Sequence, residues 1–283
     1  MSRLVSILWP AAAGVVLSGL AALPHGTAAA QRKTPGGAEL VKVELIADTK
    51  HVRAGKKITL AARFDIAPGW HIYWENPGEA GLATEASFTA PSGYDVGDVR
   101  FPGPEKFQTP GETAASYGYS KVAVLSSSVA APARVAGPAR FSVQATWLAC
   151  RDVCIRGQAQ AALDLPPARG KTAAPAHKEL FERHRAELPR PLSELGAVHR
   201  WERDQREARL VLGGVRAEKV EYFPPTGEDL QLVGQQAAAG KNGATELRLT
   251  YKSGFKPARA RGVLAVTRGS ERRYYALNLE EAR

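Results

Sequence analysis

Hydrophobic and polar positions alternate with a period of two over most of the chain from residue 39 onward. In the clearest run the apolar residues stand at every second position: Ile58, Leu60, Ala62, Phe64 and Ile66. Alternation of this kind, bounded by Gly, Pro and Asp, predicts half-buried strands. Several short strands with no helical period between them predict an all-β fold, an immunoglobulin-like antiparallel β-sandwich.

The alternation stops at Pro166 and resumes after residue 198. The stretch PPARGKTAAPA that starts at Pro166 has the composition of a linker. Apolar residues at helical spacing then predict a short amphipathic helix over 177–188, which Pro189 ends. The predicted organisation is, in chain order, an immunoglobulin-fold domain over 38–166, a linker with the short helix over 167–196, and a second, smaller β-domain over 197–281.

The first thirty residues have the order of parts found in an export signal. A positive residue, Arg3, precedes an apolar run from Ile7, and small residues end the segment at 28–30. This order is typical of a cleaved secretory signal peptide. A membrane anchor is disfavoured because Pro10 interrupts a run that is shorter than the roughly 20 residues of a spanning helix. We therefore expect residues 1–30 to be removed and the mature chain, without a transmembrane segment, to be periplasmic or secreted.

The formal charge of +10 is unevenly distributed along the chain. Residues 38–166 carry 13 Lys and Arg against 13 Asp and Glu, so the positive excess lies elsewhere. A basic chain can bind nucleic acid. Export and the scattering of the basic residues among acidic ones favour a solvated basic surface instead, and we expect no nucleic-acid partner.

Both cysteines of the chain lie in one segment, WLACRDVC, four positions apart. In an oxidising compartment such a pair usually persists as a disulfide. Cys150 and Cys154 would lie about 13 Å apart on a straight strand, whereas a disulfide requires close approach of the two Cβ atoms. The pair is therefore expected at a turn, between a strand that ends at Trp147-Leu148 and another that begins near Gln158.

Three uses of the cysteine pair remain open from the residues alone. If the pair is a structural disulfide, closing so short a loop stabilises the fold by only about 2 kcal/mol through chain entropy. This small contribution favours redox exchange over a structural role. A structural zinc site needs four ligands and the pair supplies only two, so we expect no metal and no cofactor.

The residues between the cysteines do not show which thiol is the more reactive. Arg151 stabilises a neighbouring thiolate and Asp152 destabilises it, so their effects on the thiol pKa oppose each other. Cys154 lies farther into the turn and is expected to be the more accessible.

Three motifs occur in a characteristic order along the chain. They are GWHIYWENPGEAGL from Gly69, Tyr117-Gly-Tyr119 before a strand, and WLxCxxxC from Trp147. Together they resemble the N-terminal periplasmic domain of the thiol:disulfide interchange protein DsbD, particularly its ScsB-like branch. The resemblance covers residues 40–165. The second β-domain, with its VEYFPP segment, is similar to the region that comes after this domain in the ScsB-like branch.

The resemblance implies that Cys150 and Cys154 form the redox-active, catalytic pair, with Cys154 attacking. Tyr117, Tyr119 and Trp147 become candidates for capping the pair or for partner binding. The aromatic cap residue of the family would fall near Ser116, which is not aromatic.

The resemblance also implies partners. DsbD-like proteins continue into a membrane electron carrier and a thioredoxin-like domain, which are not found in this sequence. We therefore expect a separate membrane electron donor and periplasmic thiol–disulfide proteins as partners, in a protein-disulfide reductase. The alternative is a non-enzymatic β-sandwich binding module that keeps the bridge as a structural disulfide, and a weaker one is a metal-handling accessory.

Overall fold

A computed structural model describes most of the chain after the predicted export signal. The described ranges are 36–108, 115–169, 174–195, 199–203, 207–227, 232–252 and 259–280. The predicted signal peptide at 1–30 and residues 170–173 of the predicted linker lie outside them. The described residues belong to one compact unit. Within the described ranges, no helix has the length and apolar character that crossing a membrane requires.

Ten strands of the first β-sandwich follow a one-turn helix, α1 (Gly37–Leu40). They are β1 (Val41–Ala47), β2 (Lys57–Ile66), β3 (His71–Gly78), β4 (Glu85–Thr89), β5 (Asp95–Arg100), β6 (Glu105–Phe107), β7 (Ser116–Ser120), β8 (Val122–Ala130), β9 (Ala139–Cys150) and β10 (Cys154–Leu165). One sheet has the order β1-β2-β8-β5. The other has the order β10-β9-β3-β7-β6, and β4 pairs with β9 beside β3. Every pairing in both sheets is antiparallel.

The two sheets pack face to face through the side chains that the alternation assigns to one side of each strand. Phe64 of β2 meets Trp147 of β9 edge to face, with ring centroids 5.9 Å apart. Phe64 and Phe141 are fully buried, as is Ile72 of β3. Because removal of apolar surface from water drives folding, these residues hold the sheets together. The predicted immunoglobulin-like sandwich is confirmed.

Helix α2 (Lys178–Glu187) confirms the predicted short helix and covers the outer face of the first sheet. Its Phe181 packs against Ile46, Ala61 and Val124 of that sheet. The Nε2 atom of His184 lies 2.7 Å from the Ser126 hydroxyl in a buried contact. Burial, with smaller effects from nearby arginines, lowers the pKa of His184 to about 4. The imidazole is therefore neutral near pH 7, as a buried histidine without a carboxylate partner should be.

The second β-part begins with β11 (Arg190–Pro191) and a 3-10 turn at Leu192–Leu195. The remaining strands are β12 (His199–Arg203), β13 (Glu207–Leu212), β14 (Lys219–Phe223), β15 (Leu232–Ala239), β16 (Thr245–Tyr251), β17 (Arg259–Arg268) and β18 (Glu271–Glu280), with a 3-10 turn at Lys241–Gly243. They form two four-stranded sheets, β11-β18-β17-β14 and β12-β13-β16-β15. Their buried side chains form a core of their own around Leu210, Tyr222 and Leu264. The structure thus confirms that a second, smaller β-fold follows the short helix.

The second β-part also packs directly on the first. Phe223 of β14 joins the core of the first sandwich and meets the rings of Trp74 and Tyr117 edge to face. The buried Asn76 side chain donates a 2.8 Å hydrogen bond to the Pro224 carbonyl. The predicted boundaries between the domains stay a prediction, because this shared core joins the two parts.

Candidate redox site

The cysteine pair closes the hairpin between β9 and β10. Cys150 is the last residue of β9 and Cys154 the first of β10, and the two are register partners in the antiparallel ladder. They form a disulfide with an S–S distance of 2.01 Å and a Cα–Cα distance of 4.1 Å. The pair therefore lies at a turn, as predicted. The second strand begins at Cys154 rather than near Gln158, because the ladder between the strands continues up to the cysteines.

The two cysteine residues differ in exposure. Cys150 is 2% exposed, whereas Cys154 is an exposed residue. The difference follows from the sheet order. Strand β9 has β10 on one side and β3 on the other, with His71 of β3 opposite Cys150, while β10 is an edge strand. A protein approaching this hairpin would therefore reach the sulfur of Cys154 first.

The turn between the cysteines carries one charge of each sign. The Arg151 guanidinium donates a 2.8 Å hydrogen bond to the Asp152 carboxylate. The same guanidinium lies 5.0 Å from the ring centroid of Trp70, in cation–π geometry. Because the two charges neutralise each other locally, the turn presents little net charge beside Cys154.

An aromatic side chain of β3 reaches the sulfur of Cys154. The Tyr73 hydroxyl lies 3.9 Å from Cys154 Sγ, and the residue is 4% exposed. Strand β7 places Gly118 opposite Tyr73. Gly81, at φ +111°, lies against the ring so closely that a Cβ there would overlap it. Burial raises the pKa of Tyr73.

His71 lies between the cysteine pair and a groove at the sheet surface. Its ring stacks on Phe107, with centroids 4.5 Å apart, and meets Tyr73 edge to face at 5.3 Å. Burial lowers the pKa of His71. The groove has a volume of about 530 Å³, and His71, Trp70 and Lys121 are among the residues that line it. Because its pKa is lowered, the His71 imidazole is neutral near pH 7. Its ring contacts with Phe107 and Tyr73 make it part of an aromatic cluster.

The three aromatic residues predicted for capping or partner binding are buried. Tyr117 packs against Phe223, the Tyr119 hydroxyl donates a 2.8 Å hydrogen bond to the Pro102 carbonyl, and Trp147 packs in the core against Phe64. None of the three is more than 6% exposed. Packing in the core is sufficient to account for these three aromatic residues. A role for them at the cysteine pair stays a prediction, and residues 109–114, just before this segment, lie outside the described residues.

The sequence patterns do not identify Tyr73, His71 and Gly81 as site residues. The alternation within GWHIYW already puts His71 and Tyr73 on the face opposite Ile72. The information missing from one sequence is the pairing of β3 with β9, which brings that face beside the cysteines.

Metal ligands are sparse in the part of the chain that the structure describes. It contains no group of three or more His, Cys, Asp or Glu side chains placed to hold an ion. The expectation that the pair binds no metal stays a prediction.

Comparisons with known proteins bear on the first sandwich. Residues 38–166 match the family model described as thiol:disulfide interchange protein DsbD, N-terminal. No curated protein matches the chain significantly.

Two solved structures are similar to the chain. The N-terminal periplasmic domain of ScsB from Proteus mirabilis is 18% identical, with a TM-score of 0.60 over 86% of this chain and 92% of its own. The reduced N-terminal domain of DsbD from Neisseria meningitidis is 15% identical over 48% of this chain and 92% of its own, with a TM-score of 0.29. The second score is too low to carry an argument.

At 18% identity the ScsB match shows the fold alone, and it extends over both β-parts. The family model covers the segment that contains the Cys150–Cys154 bridge. Residues 38–166 are therefore a DsbD N-terminal-like domain, a thiol–disulfide exchange domain with a cysteine pair.

Proposed function

We propose that this chain is an exported protein-disulfide reductase that passes reducing equivalents through Cys150 and Cys154. The electrons come from a separate membrane donor and go to periplasmic partner proteins. The observation that carries the proposal is the unequal exposure of the two cysteine residues, with Cys154 exposed and Cys150 2% exposed. Exchange needs one sulfur that a partner can reach and a second that is held close enough to resolve the mixed disulfide.

The chemistry follows from this arrangement. In the reduced protein, Cys154 loses its proton and its thiolate attacks one sulfur of a partner disulfide, releasing the other partner sulfur as a thiolate that takes up a proton. Cys150 then loses its proton and attacks Cys154 Sγ. The second partner thiol leaves, and the Cys150–Cys154 bridge forms again. The partner gains two electrons and two protons, and the donor restores the dithiol.

The cellular location rests on two observations. The N-terminal sequence has the order of a cleaved signal peptide. The ScsB domain of the same fold is described as periplasmic. A periplasmic location gives the protein access to exported proteins that carry disulfides, and it requires a donor that brings electrons across the membrane.

A purely structural role for the bridge has less support. Cys150 and Cys154 are register partners, so the backbone ladder already holds them together. A cross-link over so short a loop adds only about 2 kcal/mol by chain entropy. The bridge therefore contributes little that the hairpin does not already supply.

Replacing both cysteines with serine tests the proposal. We expect the free energy of unfolding to fall by no more than about 2 kcal/mol, while electron transfer is lost completely. Pre-reduced protein is mixed with oxidised periplasmic extract, and newly formed extract thiols are alkylated and counted. A double-serine variant that transfers as many electrons as the native protein would contradict the proposed role of the pair.

A further inference from the structure

One polar group stands beside the sulfur that a partner reaches first. Among the described residues, the Tyr73 hydroxyl is the side-chain group within hydrogen-bonding range of Cys154 Sγ, at 3.9 Å. The charged side chains of the turn, Arg151 and Asp152, are bound to each other. The polar neighbour of the Cys154 sulfur is therefore the Tyr73 phenol, which lies on β3, a strand that is not adjacent to β10 in the sheet.

The fold holds this phenol in place from several sides. Tyr73 is 4% exposed, with the ring of His71 edge-on at 5.3 Å. Gly118 on β7 lies against the backbone of Ile72 and Tyr73, and Gly81 lies against the Tyr73 ring, so neither position has space for a Cβ. Gly81 has a φ of +111°, which favours glycine, so the loop can pass over the ring only with glycine there. The hydroxyl is thus fixed near the sulfur.

The strength of this contact depends on the redox state of the sulfur. A sulfur in a disulfide is a weak hydrogen-bond acceptor, which agrees with the long 3.9 Å contact. A thiolate carries a full charge and accepts a much stronger, charge-assisted bond. Burial raises the pKa of Tyr73, so the phenol keeps its proton over the range in which a thiol ionises. It can therefore donate a hydrogen bond to the thiolate.

We propose that Tyr73 is a further catalytic residue of the exchange reaction, whose hydroxyl donates a hydrogen bond to the Cys154 thiolate and so makes Cys154 the attacking sulfur. This inference rests on the proposed function. Cys154 releases its proton to solvent and forms its new bond to the partner sulfur, while Tyr73 keeps its own proton throughout. The contact stabilises the charged form of Cys154, so it lowers the pKa of that thiol.

The test removes only the hydroxyl, with Tyr73→Phe in a Cys150→Ser background where Cys154 is the single thiol. The rate of alkylation by iodoacetamide is measured against pH. We expect the midpoint of the profile to move upward by about one pH unit, because a hydrogen bond to a charged group is lost. The other groups of this neighbourhood, His71, the Arg151–Asp152 pair and Glu105 bonded to Ser120, are the same in both proteins.

The matched control is Tyr94→Phe in the same background. Tyr94 is a partly buried tyrosine with a raised pKa that packs edge to face on Phe141, 5.4 Å between centroids. Its removal should leave the midpoint unchanged. A Tyr73→Phe shift no larger than that of Tyr94→Phe overturns the inference.

If Tyr73→Phe does not fold, Gly81→Ala is used instead, since its Cβ displaces the ring. An unchanged midpoint in that variant also overturns the inference. Iodoacetamide needs no protein partner, so this outcome is read separately from any failure of the proposed function.

Discussion

A Cys150→Ser variant should accumulate mixed disulfides with exported partner proteins, visible as bands of higher mass on a non-reducing gel. The exposed Cys154 still attacks a partner disulfide in this variant, but the resolving sulfur is missing, so the intermediate persists. Cys150 is 2% exposed and its neighbour in the ladder is Cys154 itself, which is the arrangement of a resolving thiol. The expected effect is close to all-or-none.

The matched variant is Cys154→Ser, which leaves only the buried sulfur and should trap no partner. Addition of a reducing agent should remove the bands of the Cys150→Ser variant. If Cys154→Ser traps partners and Cys150→Ser does not, the roles of the two sulfurs are reversed. If neither variant traps a partner, the bridge is a structural disulfide, as in the alternative of a β-sandwich binding module.

Phe223→Ala should lower the free energy of unfolding by about 3–5 kcal/mol, the range typical of a buried phenylalanine. Phe223 is 1% exposed, and its ring packs against Trp74 and Tyr117 of the first sandwich. The substitution therefore leaves a cavity where the two β-parts meet. Denaturant unfolding followed by intrinsic fluorescence measures the change.

The control for this variant is Val233→Ala, in the second β-part but 56% exposed. A surface substitution of this kind should change stability by no more than about 0.5 kcal/mol. Because the parts share a core, we expect the native protein to unfold in one transition. Two separate transitions, with Phe223→Ala affecting only one of them, would show that the two β-parts are energetically independent.

The sequence predicts the first sandwich well where one face of a strand is buried. In β2 and β9 the apolar side chains point to a common core, so the period of two is clear. Strand β5 is not predicted, because its exposed and partly exposed residues give no alternation. Helix α2 is predicted correctly because Phe181 and His184, three positions apart, are both buried on one face of the helix and so give the sequence a helical spacing.

The site is predictable only in part, for a physical reason. The spacing of Cys150 and Cys154 requires a turn, so the hairpin follows from local geometry. The neighbours of that hairpin depend on which strands pair, and sixty residues, 79–138, lie between β3 and β9 in the chain. The approach of Tyr73 to Cys154 is therefore a consequence of tertiary structure, as is the burial of Tyr117 under Phe223.

The reduction potential of the Cys150–Cys154 bridge tests the central claim most directly. The purified protein is equilibrated in buffers of defined redox potential, and the free thiols are alkylated and counted at each potential. A bridge that exchanges electrons with partners should titrate above about −300 mV, whereas structural disulfides of secreted proteins typically lie below that value. A midpoint above this limit is the predicted result, and a midpoint well below it would contradict the account of this chain as a thiol–disulfide exchange protein.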